Sequence, residues 1–207
     1  MPKQVLLLAF ACLAGCSDPD KERLEKTTVP TYDKTTGKLK RLTHDMNKNG
    51  KIDTWVEMNG PLPVSAKSDL NEDGKLDRWE YYSDQGKLIK VGFSRTDAGT
   101  PDAWAFNGPD GRIQRMEISS LGDDSKIDRV EFYVADVLVR AEDDTDHDGT
   151  VDKWSTYEDG ALKTAAFDEN RDGKPDRRLT YDGADLLTIE TEPDMAGKFA
   201  RRVDVKK

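Results

Sequence analysis

Cysteine is almost absent: the 207 residues hold two, Cys12 and Cys16, so no disulfide framework can be built. Histidine is as scarce, with only His44 and His147. No apolar run reaches the roughly 18 residues a helix needs to cross a bilayer, which excludes an integral membrane protein of helical spans. Hydrophobic residues make up 35% of the chain and aromatics 8%, well short of the roughly 45–50% apolar content of a typical globular chain. Positive charge is also in deficit, 32 Lys and Arg against 41 Asp and Glu, for a net charge of −9. An acidic chain repels phosphate, so nucleic acid is not an expected partner. What remains is either a largely disordered chain or a thin fold without a thick core.

The N-terminus begins with Lys3 as a minimal positive segment, followed by a short apolar stretch from Val5 to Leu13, and then Leu13-Ala14-Gly15-Cys16. A short apolar run ending in small residues marks residues 1–15 as a secretory signal peptide. Placed there, Leu-Ala-Gly-Cys resembles the lipobox of bacterial lipoproteins. The resemblance implies that Cys16 carries the lipid, palmitate included, and becomes the mature N-terminus. Cys12 would be lost with the signal peptide, leaving a lone cysteine in a secreted chain, and lipidation accounts for it. Ser17 after the lipidated cysteine implies sorting to the bacterial outer membrane, facing the periplasm or the surface. Residues 16–31 are polar, carry Pro19 and Pro30, and read as the lipidated cysteine and a flexible tether to a repeat domain over 32–207.

The repeat is visible by eye. Asp45-Met-Asn-Lys-Asn-Gly-Lys-Ile-Asp53, Asp69-Leu-Asn-Glu-Asp-Gly-Lys-Leu-Asp77, Asp144-Thr-Asp-His-Asp-Gly-Thr-Val-Asp152 and Asp168-Glu-Asn-Arg-Asp-Gly-Lys-Pro-Asp176 share one pattern. Two decayed copies, starting at Ser94 and Ser120, keep Gly99, Pro101 and Asp102, and Asp124, Ile127 and Asp128. A weaker seventh copy near Glu192 keeps Gly197, giving spacings of 24, 25, 26, 24, 24 and 24 residues. Such regularity rejects disorder and points to a repeat architecture. Trp55, Trp79, Trp104 or Trp154 stands two residues after the last loop aspartate, and Tyr82, Tyr133, Tyr157 or Tyr181 marks the end of the same run. Two short aromatic and β-branched runs per unit, divided by Asp-Gly turns, predict a β-hairpin in each. The expected fold is therefore all-β, an elongated twisted antiparallel meander with a period of about 24 residues, the alternative being a closed barrel or propeller-like arrangement. The aromatics are expected to stack on their equivalents in successive units, with a carbohydrate-stacking platform as the functional alternative.

The Trp-x-x-Tyr-x-x-Gly-x-Leu rhythm resembles the variant MORN repeats, which implies hairpins added side by side into one long sheet. The Asp loops are similar to the calcium loops of EF-hands, dockerins and thrombospondin type 3 repeats. Calcium takes six to eight oxygen ligands. Asp or Asn at loop positions 1, 3 and 5 can offer three, Gly at position 6 permits the sharp turn, and position 9 closes the site. The candidate ligands are Asp45, Asn47, Asn49 and Asp53 in the first loop, and Asp69, Asn71, Asp73 and Asp77 in the second. They are Asp144, Asp146, Asp148 and Asp152 in the fifth, and Asp168, Asn170, Asp172 and Asp176 in the sixth. Glu80, at position 12 of the second loop, stands where an EF-hand places its bidentate glutamate. The loops at Ser94 and Ser120 lack carboxylates at positions 1 and 3 and are expected to stay empty. No nucleophile or acid–base constellation stands out, so an enzyme is not expected. The chain reads as a lipid-anchored, extracytoplasmic calcium-binding repeat protein with a structural or adhesive role. Its partners would be the membrane through its lipid and another protein or a surface polysaccharide. The alternative is a partner-binding lipoprotein of the antitoxin or immunity kind.

Overall fold

The computed structural model describes residues 27–122 and 126–205. The signal peptide, Cys16, most of the tether and Asp124 lie outside the described residues. Among the described residues fifteen strands follow one another: β1 (Thr28–Tyr32), β2 (Leu39–His44), β3 (Thr54–Asn59), β4 (Leu62–Ser68), β5 (Arg78–Tyr82), β6 (Leu88–Phe93), β7 (Ala103–Asn107), β8 (Ile113–Ile118), β9 (Arg129–Val134), β10 (Val137–Asp143), β11 (Lys153–Glu158), β12 (Ala161–Phe167), β13 (Arg177–Asp182), β14 (Asp185–Pro193) and β15 (Phe199–Asp204). Their order in the sheet is their order in the chain, and the sheet is one open meander. The barrel and propeller alternatives are not what forms. The first strand begins earlier than the sequence suggests. Thr28 to Thr31, read above as tether, pair with His44 to Arg41. Their β-branched side chains suit a strand, and Pro30 is tolerated because the strand stands at the edge of the described sheet.

Two kinds of connection alternate. Tight turns close one side of the ribbon, several with the left-handed backbone a two-residue hairpin needs, as at Ala135-Asp136 (φ 51° and 66°) and Asp159-Gly160 (φ 52° and 80°). Next to each of these seven tight turns the register slips at a bulge, for example between Tyr81 and Tyr82 and between Thr180 and Tyr181. The seven pairings next to the other side carry no such slip. That other side carries the long Asp loops. Consecutive loops stand two strands apart, about 10 Å at the usual strand spacing.

Strand alternation sorts the aromatics. Trp55, Trp79 and Trp104 lie in register with Lys67 and Gly92 on the strands between them, all on one face. Equivalent tryptophans are thus about 10 Å apart, beyond the 4.5–7 Å at which rings interact. They do not stack on their equivalents as expected. Basic side chains from intervening strands cover the rings instead: Lys90 Nζ lies 3.6 Å from the Trp104 ring centre, and the Arg115 and Arg140 guanidinium carbons lie 4.4 Å and 3.8 Å from those of Phe106 and Phe132. Tyr81 tilts against Trp104 with ring centres 6.0 Å apart. Gly92 makes room for this packing, since a Cβ there would sit 2.6 Å from the Trp104 ring.

The opposite face carries the small buried residues Ala66, Val91, Ala105, Ala141 and Ala165 in its central row. Arg78 donates to Glu80 at 2.6 Å, and the Tyr82 hydroxyl donates to the same carboxylate. Arg129, Glu131 and Tyr133 repeat the arrangement. Burial first, and then the neighbouring Glu80 carboxylate, pushes the Tyr82 phenol well above its ordinary range. The core is as thin as the composition requires: the largest fully buried side chains are Asp53, Asp102, Ser119 and Ser155.

Candidate cation-binding loops

Each loop is built by its own side chains. The closing carboxylate accepts the backbone N–H of position 2 in all six, from Met46 to Asp53 (2.9 Å) and from Leu70 to Asp77 (2.5 Å) onward to Glu169 to Asp176 (2.7 Å). The position 1 aspartate accepts from the position 6 glycine, Gly50 to Asp45, Gly74 to Asp69, Gly149 to Asp144 and Gly173 to Asp168, at 2.7–3.0 Å. Positions 3 and 5 accept from the amides two residues on, as Asn71 does from Asp73 (3.0 Å) and Asp148 from Thr150 (2.8 Å). These are Asx turns, and they account for one oxygen of most candidate ligands. The glycine at position 6 sits at φ 90–95° in the first, second and fifth loops (Gly50, Gly74, Gly149), where a side chain is strained.

The decayed copies keep the same frame. In the third, Ser94 Oγ replaces the aspartate and accepts from Ala98 and Gly99. Arg95 places its guanidinium on Asp102 (3.1 Å) and on the carbonyl of Ser119 (2.8 Å). Burial alone would raise the Asp102 carboxyl. The amides of Arg95 and Thr96, with their side chains, outweigh that and hold it below its ordinary value. The fourth copy opens at Ser119, not Ser120. Ser119 donates to the carbonyl of Asp102 (2.8 Å) as Asp69 does to that of Asp53, and Ser120 takes the position 2 role against Asp128. An inserted residue makes this loop ten long. In the seventh copy Ala200 falls at position 9. Without an aspartate there, β14 and β15 continue until Pro193 pairs with Phe199, and a tight turn from Asp194 to Lys198 closes them.

Glu80 belongs elsewhere. Strand geometry after Asp77 turns it onto the sheet face with Arg78 and Tyr82, so it does not close the second loop. His147 is exposed, with its Nδ1 3.5 Å from Asp128 Oδ2. His44 pairs through Nδ1 with the Thr28 hydroxyl at 2.7 Å.

Oxygens left over by the turns test whether a cation fits. Asp69 Oδ1 in the second loop is buried and takes no hydrogen bond. In the fifth loop, ligand oxygens of Asp144, Asp146 and Asp152 lie within 4.8 Å of one another. Asp146 and Asp152 border a cleft of about 300 Å³ between the fifth and sixth loops, which Asp168 and Arg171 also line. A buried, unpartnered carboxylate oxygen and an all-oxygen donor set suit a hard divalent ion. Position 4, which sequence reasoning passed over, also joins the site. Glu72 accepts from the Asn47 amide (2.5 Å) and the Asn49 amide of the preceding loop, and Asn47 above all holds its carboxyl below the ordinary value.

No family model matches the chain, and no curated protein is significantly similar to it in sequence. Among solved structures, one similar to it is the crystal structure of accessory secretory protein 1, 2 and 3 in Streptococcus pneumoniae, 17% identical over 52% of this chain with a TM-score of 0.37. The match spans 19% of that chain.

Proposed function

We propose that the chain is a lipid-anchored, extracytoplasmic repeat protein whose Asp loops bind calcium and which serves a structural or adhesive role. The observation that carries the metal half of this reading is the buried, unpartnered Asp69 Oδ1 of the second loop. A buried carboxylate oxygen without a partner is costly, and a divalent ion would supply one. The third loop, which has serine at position 1, carries an arginine on its closing aspartate, so the frame tolerates positive charge there. The loops recur along one side of the open sheet, an arrangement suited to spacing or adhesion and not to a single active centre. No helix among the described residues is long and apolar enough to cross a membrane, and attachment in this reading rests on Cys16. A calorimetric calcium titration of the mature chain tests the metal half, and absence of binding at millimolar calcium would defeat it. Membrane partition of Cys16→Ser tests the anchor: release from the membrane or an uncleaved precursor is expected, and unchanged mass and partition would refute it.

A further inference from the structure

In five of the six long loops position 4 is a non-glycine residue with a left-handed backbone, a different residue each time: φ is 64° at Lys48, 59° at Glu72, 58° at Asp97, 61° at His147 and 64° at Arg171; the fourth loop has Gly122 there. Non-glycine residues adopt this conformation uncommonly. From Glu72 onward the side chain lands on the preceding loop. Glu72 meets Asn47, Asn49 and, at 3.4 Å, Lys51 Nζ. Asp97 Oδ1 accepts from Asn71 at 3.3 Å. His147 faces Asp128. Arg171 pairs with Asp146, and its second guanidinium nitrogen lies 3.9 Å from Asp148.

We propose that position 4 of one loop decides whether the loop before it holds a divalent cation. Glu72 brings a third carboxylate to the first loop, which has only Asp45 and Asp53 of its own. Asp97 brings a fourth to the second, where Asp69 Oδ1 waits buried and unpartnered. Arg171 does the reverse. It places a tethered positive charge among the four aspartates of the fifth loop, so the loop richest in carboxylates is the one held back from calcium. The inference rests on the calcium reading and adds a rule to it: occupancy is set by the neighbour's residue, not by the loop's own carboxylate count.

Charge reversal in both directions tests it. Arg171 is largely exposed, and Glu72 shows that the position accepts a glutamate, so Arg171→Glu preserves the frame. Calcium titration of the full mature chain should show one site in Arg171→Glu tightened about tenfold or more, since two unit charges change beside a divalent ion. Glu72→Arg should weaken or remove one site. A loss of affinity in one variant could come from damage; a gain in the other could not. If wild type binds calcium and neither variant differs from it, the rule falls while the calcium reading stands. If Arg171→Glu binds one ion more than wild type, the rule is supported. If neither binds, both fall together.

Discussion

Asp102 is fully buried and holds two amides and a guanidinium with its two oxygens. Its carboxyl titrates below the ordinary value, so its contribution is present above the unfolded pKa and is lost as pH falls through the folded one. Asp102→Ala should therefore cost about 2–3 kcal/mol in urea unfolding at neutral pH, and the gap from wild type should close as the pH drops below the usual carboxylate range. Gly92 makes a different kind of demand. Its missing Cβ is filled by the Trp104 ring, so Gly92→Ala should displace the indole, cost about 1–3 kcal/mol and alter the near-ultraviolet circular dichroism. A Gly92→Ala protein with an unchanged spectrum and stability would mean the ring has room. The two residues differ in how readable they were. Asp102 stands at position 9, where every intact loop also has an aspartate, whereas Gly92 belongs to no repeated pattern and takes its meaning from the ring paired with it on the next strand.

At the scale of the element, the loop was legible because its determinants are local. Aspartate at 1 and 9 and glycine at 6 hold backbone groups within nine residues, and the spacing of those residues is the structure itself. Gly149→Ala tests this directly: nothing lies within 4 Å of the added methyl, so the expected loss of about 1–2 kcal/mol in thermal unfolding comes from the backbone at φ 95° alone. Three features escaped for physical reasons. The fourth loop's inserted residue hides its start at Ser119, because serine at 119 and at 120 look alike until the hydrogen bonds are known. Glu80 sits at a helical loop's twelfth position, but alternation in β5 aims it away. Contacts made by position 4 depend on the 10 Å step between loops, which no nine-residue motif contains.

For the whole molecule, the thin core leaves the loops a large share of the stability. An ion at ten times its Kd adds roughly 1.4 kcal/mol per loop it fills, so several loops together approach the stability of a small domain. Chelation should lower the melting temperature of the mature chain, and magnesium should restore it poorly because it demands a tighter octahedral shell. Equal melting in calcium and in chelator would leave the loops as turns only. The meander was readable from the period; its openness was not, and is fixed by β1 and β15 pairing only with β2 and β14 in a sheet whose strand order is the chain order. That order has a mechanical consequence. Every strand is bonded only to its neighbours in sequence, so a pull on the two ends loads the hydrogen bonds of one terminal strand at a time, as in a zip, and never shears many together. Under tension the ribbon should yield at low force in small steps, each releasing one strand with its connection, about 12 residues on average or about 40 Å of extended chain. Ions bound in the loops would act as evenly spaced catches along the zip.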